Sequence, residues 1–159
     1  MDCYNGIEDI KRAPLTVFFN EGRRFGWIFS VTQPIIVTKL MFFNDDEEEV
    51  QKRNVTLYKV KVGRHEYEQI YQCDVTAGPA SWGFEDVPDD GIELQPGGYL
   101  ITMKIPHYAS TYYVPFEDVE FGAKGIKFAT GLFENINDIG WLETTNCYMV
   151  SFEYLLSNN

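Results

Sequence analysis

Residues Pro34–Val60 read PIIVTKLMFF, then NDDEEEVQKR, then NVTLYKV, and this stretch decides the fold class. Two runs rich in β-branched and aromatic residues flank a short loop that carries five consecutive carboxylates, Asp45–Glu49. Residues of those types pack well on a pleated surface, so each run is typical of a β-strand. The stretch therefore predicts a strand, a short acidic loop and a second strand.

Similar runs continue along the chain, and turn signals rich in glycine, proline, asparagine and aspartate separate them. The predicted strands are Leu15–Phe19, Arg24–Val31, Ile35–Phe43, Asn54–Val62, Glu66–Val75, Ser81–Val87, Tyr99–Ile105, Ser110–Val114, Gly125–Phe133 and Tyr148–Leu156. Their starts lie roughly 8 to 15 residues apart, a spacing typical of an antiparallel sandwich or barrel. We predict no amphipathic helix of useful length, and at most one helical turn at Ile7–Arg12.

Hydrophobic alternation supports this interpretation. In the run that begins at Tyr99, apolar side chains at every second position share one face, which predicts one face in the core and one in water. The last run ends at Leu156, and we expect it to be a central strand paired with an early one. We predict an all-β antiparallel β-sandwich of jelly-roll-like type, with about 8–10 strands. A closed barrel remains an alternative.

Size and charge limit the classes of function. The 159 residues form one predicted domain, 1–159, in which 1–13 is a potential N-terminal extension. The formal charge of −11 repels nucleic-acid phosphates and anionic membrane surfaces. The 13 lysines and arginines are scattered rather than clustered. We therefore expect neither nucleic acid nor membrane as a partner.

The start of the chain carries no apolar signal region, and no run approaches the ~18 apolar residues of a membrane span. As it stands, the sequence predicts a cytoplasmic protein, and an extracellular one if a leader has been removed. Cys3, Cys73 and Cys147 are too few for a disulfide framework or a zinc site. Free thiols and a Cys73–Cys147 bridge both remain open.

The acidic loop is a candidate metal site. Calcium takes six to eight oxygen ligands at about 2.3–2.6 Å. Side-chain oxygens of Asn44, Asp45, Asp46 and Glu48 could supply part of that shell. The alternative is a solvated hairpin tip whose charges discourage edge-to-edge strand pairing. We predict no required cofactor, with calcium as the candidate ligand.

Aromatic side chains form the candidate ligand site. His107, Tyr108, Tyr112 and Tyr113 occur in the segment PHYASTYYVP, and Trp141 follows a polar loop. Aromatic rings on loops offer flat apolar faces with a polar handle, which suits a sugar ring or a peptide. Packing in the core or at its rim is the alternative for each ring.

No catalytic motif is present. The chain lacks G-x-S-x-G, H-E-x-x-H and phosphate-loop patterns, and two isolated histidines, His65 and His107, cannot supply the three protein ligands of a catalytic zinc. A carboxylate pair remains open because spacing in sequence does not fix spacing in space. We therefore predict that the protein is not an enzyme.

The sequence over about residues 24–105 resembles a theme of bacterial cell-surface β-sandwich domains. That theme joins G-x-x-F-x-V-x-x-P-I-x-V-T-x-L, an acidic loop, a V-x-L-Y strand and an L-x-P-G-x-Y strand. The matching residues are Gly26, Phe29, Val31, Pro34, Ile35, Val37, Thr38, Leu40, Phe43, Val55, Leu57, Tyr58, Leu94, Pro96, Gly97, Tyr99 and Ile101. Met41 departs from the glycine of the theme. The resemblance implies a jelly-roll-like sandwich similar to carbohydrate-binding or adhesion modules.

Together these features predict a non-catalytic module that presents loop aromatics and acids to a carbohydrate or protein partner. Two alternatives remain at this point. One is a structural subunit of a virion, tail or surface layer, and the other is a small carboxylate-dependent hydrolase. The sequence does not reveal the oligomeric state.

Overall fold

A computed structural model of the chain describes residues 2–19, 22–61, 66–105, 109–122, 124–134 and 141–157, except the side chains of 17–19 and 109. Within these ranges the chain forms sixteen β-strands, one 3-10 turn at Phe116–Asp118 and no α-helix. The strands are β1 Cys3–Asn5, β2 Ile7–Ile10, β3 Leu15–Phe19, β4 Arg23–Val31, β5 Ile35–Asn44, β6 Gln51–Lys61, β7 Glu66–Ala77, β8 Ser81–Asp86, β9 Ile92–Leu94, β10 Gly97–Ile105, β11 Ala109–Pro115, β12 Val119–Phe121, β13 Ile126–Glu134, β14 Trp141–Thr144, β15 Asn146–Tyr148 and β16 Val150–Leu156.

Two large antiparallel sheets make up the sandwich. One has the strand order β14-β13-β4-β10-β6-β7. The other has the order β1-β16-β5-β8, and β9 also pairs with β5. The chain passes repeatedly from one sheet to the other, as from β4 to β5 and from β5 to β6. The predicted all-β, jelly-roll-like sandwich is confirmed.

Aromatic side chains fill the space between the two sheets. Phe25, Trp27 and Phe29 alternate along β4 and are fully buried, as the hydrophobic alternation predicts. The ring centroid of Phe29 lies 4.8 Å from that of Phe152 on β16. The indole Nε1–H of Trp27 donates a hydrogen bond of 2.7 Å to the carbonyl oxygen of Val150. This bond joins the sheets through the core and satisfies a polar group that burial would otherwise leave costly.

Short strands account for the excess over the number that the sequence predicts. The additional strands are three to four residues long, and they are β1, β2, β9, β12, β14 and β15. The one helical turn allowed at Ile7–Arg12 does not form, because Ile7–Ile10 is a strand paired with Val119–Phe121. The partner that satisfies these backbone groups lies more than 100 positions away in sequence, so no local pattern could have indicated it.

The last strand is central, as predicted. β16 pairs with β5 on one side and with β1 on the other. The described residues include no helix that is both long enough and apolar enough to span a membrane.

The six-stranded sheet departs from simple alternation on β10. Tyr99, Ile101 and Met103 face the core, as expected. Leu100 and Thr102 point to the opposite side, which the alternation predicts to be wet, yet both are fully buried. Other side chains of the protein therefore cover Leu100 and Thr102 on the side of this sheet that faces away from the core.

Candidate functional site

The covered surface is the side of the six-stranded sheet that faces away from the core, here called the outer face. Cross-strand register places Thr56 and Tyr58 of β6 beside Thr102 and Leu100 of β10 on this face. Leu100 is fully buried but does not belong to the hydrophobic core cluster. The outer face therefore has an apolar layer of its own.

Three rings, called the aromatic trio, lie over this layer. They are Tyr58 on β6, Tyr67 on β7 and Trp141 on β14. The Trp141 ring centroid lies 5.6 Å from that of Tyr67 and 6.5 Å from that of Tyr58, in edge-to-face geometry. The Tyr58 and Tyr67 rings are 6.5 Å apart. All three rings are half-buried, and none of them packs against the sandwich core.

The trio shows that the outer face is concave. β14 and β7 are the opposite edges of the six-stranded sheet. In a flat sheet of six strands those edges would lie roughly 24 Å apart. Contact between Trp141 and Tyr67 requires the sheet to curl until its two edges approach each other. The curl explains why Leu100, Thr56 and Thr102 are fully buried on a face that lies outside the core.

A network of polar side chains, called the Arg24 network, lies beside the trio on the outer face. The guanidinium of Arg24 donates to Oγ1 of Thr102 at 3.2 Å and to Oδ1 of Asn54 at 2.7 Å. Thr56 Oγ1 donates to the same Asn54 oxygen at 2.7 Å, and Asn54 Nδ2 donates to Oε1 of Gln72 at 3.4 Å. The network holds an arginine and an asparagine in fixed orientations on a concave surface.

Glu143 adds a carboxylate near the trio. Burial raises the pKa of the Tyr67 hydroxyl above its ordinary value, and the negative charge of Glu143 raises it further. The Tyr67 hydroxyl therefore stays protonated at neutral pH and can donate a hydrogen bond. Flat apolar rings with polar groups around them form a surface suited to a sugar.

Trp141 is the predicted ligand residue that lies on this face. Tyr112 and Tyr113 lie on β11 in a separate three-stranded sheet with β15 and β3, and both pack against the core. Tyr112 stacks on Phe43 at a centroid distance of 5.8 Å. His107 and Tyr108 lie outside the described residues, as does His65.

Tyr58 and Tyr67 were not among the predicted ligand residues, because that prediction rests on rings in or beside loops and both tyrosines lie within strands. A usable signal was present for Tyr58. In β6, Val55 and Leu57 occupy the apolar face, so Asn54, Thr56 and Tyr58 share the polar face. An aromatic residue on the polar face of an alternating strand indicates either a surface ring or a second apolar layer.

Asn44 fixes the backbone of the acidic loop through side-chain hydrogen bonds. Its side chain is fully buried, and Nδ2 donates to the carbonyl oxygens of Glu49, Ala77 and Gly78 at 2.8–3.2 Å. Its Oδ1 accepts the backbone N–H of Asp46 at 2.9 Å. Asn44 thus ties the loop to the turn after β7.

Asp45 forms a buried ion pair with Arg53 of β6. One carboxylate oxygen lies 3.6 Å from Nη2 of Arg53, and 5 % of the Asp45 side chain and none of the Arg53 side chain is exposed. The other carboxylate oxygen accepts the hydroxyl of Ser110 at 2.5 Å. Burial lowers the pKa of Arg53, and the charge of Asp45 opposes that effect. Asp45 therefore compensates a cation inside the protein.

Asp46 stabilises the loop backbone. Its Oδ1 accepts the N–H groups of Glu48 and Glu49 at 2.8 and 3.1 Å. These hydrogen bonds lower the pKa of the Asp46 carboxyl, since they favour its charged form. The predicted calcium ligands Asn44, Asp45 and Asp46 thus have protein partners, whereas Glu48 is exposed. Among the described residues no three His, Cys, Asp or Glu side chains are grouped to hold a metal. No described contact tests the calcium site that the sequence suggests at Asn44, Asp45, Asp46 and Glu48.

Because protein groups satisfy these oxygens, we expect the fold to be stable without metal. The melting temperature should be the same in excess EDTA and in millimolar calcium, since only a ligand that binds the native state raises it. Differential scanning fluorimetry measures this. A rise specific to calcium over magnesium, lost in Asp46→Asn, would instead assign the ion to the loop.

The acidic loop lies near the start of β11 but not near the loop after β8. The acidic loop contacts Ser110 near the start of β11 and the turn after β7, where Ala80 N–H donates to Asp46 O at 2.8 Å. The loop after β8 lies further along β5, where Val87 N–H donates to the carbonyl of Thr38. The acids at 85–91 therefore do not join those of the acidic loop.

All three cysteines are free thiols. Cys3 is exposed, Cys73 is half-buried and Cys147 is fully buried. Burial raises the pKa of Cys73 to about 11 and also raises that of Cys147. Neither Cys73 nor Cys147 has the lowered pKa that activates a thiol nucleophile.

Fold and site together define an antiparallel β-sandwich with a concave aromatic outer face. No protein-family model matches the chain, and no curated protein sequence matches it. Two solved structures are similar in fold. One holds the cysteine protease and lectin-like domains of Cwp84, a surface layer associated protein of Clostridium difficile, with a TM-score of 0.57 and 15% identity. The other is the clostridial cysteine protease Cwp84 after propeptide cleavage, with a TM-score of 0.56 and 14% identity.

The alignments cover 98% and 96% of this chain but only 36% and 40% of the two Cwp84 chains. The matched part of Cwp84 is its lectin-like part. At this identity the likeness concerns the fold alone. It confirms the expected resemblance to bacterial cell-surface β-sandwich domains at that level.

Proposed function

We propose that this chain is a non-catalytic binding module that holds a saccharide on the concave outer face of its six-stranded sheet. The observation that carries the proposal is the aromatic trio, Tyr58, Tyr67 and Trp141, which lies outside the core and stays half-exposed. Sugar rings present C–H faces that stack on aromatic rings, and their hydroxyls bond to polar neighbours such as those of the Arg24 network. We further propose a cell-surface location, since Cwp84 is a surface layer associated protein.

Removal of the Trp141 ring should weaken saccharide binding strongly. Trp141→Ala deletes the ring that contacts both tyrosines, and central aromatic anchors cost about 2 kcal/mol or more when truncated, which is roughly thirtyfold in Kd. Isothermal titration calorimetry against a panel of oligosaccharides with different linkages measures the loss.

Phe84→Ala is the matched control. Phe84 is 54% exposed and lies on β8 of the other sheet, so its loss removes an exposed ring elsewhere and should leave Kd unchanged. Absence of binding by the wild-type protein across the panel would remove the proposal. Equal losses in both variants would also contradict it.

A further inference from the structure

The Arg24 network points to the chemical class of the ligand, an inference that rests on the proposed function. Arg24 lies on β4, and its guanidinium reaches across the neighbouring strand β10 to Asn54 on β6. Both of its hydrogen-bond partners, Asn54 Oδ1 and Thr102 Oγ1, are neutral. Thr56 also donates to the Asn54 oxygen, which fixes the orientation of the partner that holds Arg24.

Arg24 is a half-buried cation, and no carboxylate of the described residues lies within ion-pair distance of it. Within the described part of the chain, no carboxylate forms an ion pair with Arg24. Other cations have such partners, among them Arg53 with Asp45 and Lys52 with Asp74. Phe133 of β13 pairs in register with Phe25 of β4, so Glu134 lies on the strand next to Arg24. Glu134 nevertheless forms no ion pair with Arg24.

A second cation stands directly beside it. Lys104 on β10 is the cross-strand partner of Arg24, is exposed, and forms no ion pair with a described residue. Asp74, which pairs in register with Asn54, is engaged by Lys52 at 3.6 Å. Two adjacent cations that form no ion pair with a described residue, on a chain of net charge −11, make a local site for an anion.

We propose that Arg24, assisted by Lys104, binds an oxyanion on the saccharide, and that the outer face therefore selects an acidic glycan. A guanidinium presents its N–H groups in a planar fork that matches a carboxylate or a sulfate, and partial burial strengthens such charge-assisted bonds. Asn54 and Tyr58 lie four residues apart on one strand, roughly 13 Å. One short oligosaccharide can therefore place a neutral ring at the trio and its anionic group at Arg24. Glu143 lies at the trio end, where the sugar would be uncharged.

The test compares a glycan that carries one carboxylate with its uncharged methyl ester. Aldotetraouronic acid, in which one glucuronate is attached to a neutral xylotriose, should bind the wild-type protein at least about tenfold tighter than its methyl ester, the gain expected of one charge-assisted bond pair. A sulfated galactan oligosaccharide without carboxylates distinguishes the two oxyanions. Raising NaCl from about 0.05 M to about 0.5 M should weaken binding of the acid and leave the ester unchanged.

Variants of Arg24 test whether this residue causes the preference for the acid over the ester. Arg24→Gln should abolish the difference between acid and ester, whereas Arg24→Lys should retain part of it. Arg12→Gln removes an exposed arginine paired with Asp118 and should leave the preference intact. Trp141→Ala should weaken acid and ester alike. Thermal melts report whether each variant folds, and if Arg24→Gln does not, the acid-to-ester ratio and salt dependence of the wild-type protein decide.

Equal affinity of the wild-type protein for acid and ester would overturn this inference and leave the proposed function standing. Equal weakening of both ligands by Arg24→Gln would also overturn it, because the residue would then act only through the structure of the sheet. Failure of every glycan to bind would overturn both proposals.

Discussion

Asp45→Ala should lower the free energy of unfolding by about 3–5 kcal/mol, because removal of one partner of a buried ion pair leaves the other charge uncompensated. Arg53 would remain with its side chain fully buried, beside the Phe42 ring at 5.3 Å and the sulfur of Met103 at 3.6 Å. Its remaining bonds to Gln51 and to the Ser110 carbonyl are with neutral oxygens. Urea denaturation measures the change.

Glu47→Ala is the control for Asp45→Ala. Glu47 is an exposed carboxylate of the same loop, and its loss should change stability by less than about 0.5 kcal/mol. Replacement of both Asp45 and Arg53 by apolar residues should recover much of the loss, since the double variant buries no unpaired charge. Equal stability of Asp45→Ala and Glu47→Ala would contradict the buried pair.

Gly26→Ala should destabilise the protein by about 3 kcal/mol or more, because the added methyl group collides with backbone rather than with a movable side chain. A Cβ at Gly26 would lie 1.8 Å from the carbonyl oxygen of Ile101 and 2.9 Å from Cα of Thr102. Relief of that contact requires β4 and β10 to separate in the middle of the six-stranded sheet. Thermal and urea unfolding measure the loss.

Gly98→Ala is the matched control for Gly26→Ala. Gly98 lies on β10 and is the cross-strand partner of Ser30 on β4. There the nearest atom to an added Cβ is Cβ of Val60 at 3.4 Å, an ordinary contact. We expect little change in stability. Equal changes in the free energy of unfolding for both variants would contradict the close contact between β4 and β10 at Gly26.

The strands could be predicted from sequence where alternation and composition were strong. Leu15–Phe19 was predicted with its observed bounds, and Pro34–Val60 contains β5 and most of β6 as expected. Ile7–Ile10 could not be assigned, because its partner Val119–Phe121 lies in a distant part of the chain. Trp141–Thr144 pairs with the nearby Gly131–Glu134, but its four residues are too few to show an alternation. Short strands of three to four residues raise the number in the described residues to sixteen, above the predicted 8–10.

The candidate site was predictable only in part. Trp141 was identified as a ring next to a polar loop, but its contact with Tyr67 depends on the curl of six strands, which no local pattern encodes. The acidic loop was conspicuous in sequence, yet Asp45 faces Arg53, eight positions away, and Asp46 binds its own backbone. Composition reveals carboxylates, whereas their partners are fixed only by the folded chain.

Saccharide binding on the concave outer face can be tested directly with the indole N–H signals of the three tryptophans. ¹⁵N-labelled protein resolves these signals in solution. Trp27 donates its N–H to Val150 inside the core, Trp82 packs against Phe43 on the other sheet, and Trp141 lies on the concave outer face. Titration with an oligosaccharide that binds should shift the Trp141 signal and leave the signals of Trp27 and Trp82 in place. A saturating shift of Trp82 with Trp141 unchanged would place the ligand elsewhere and contradict the account.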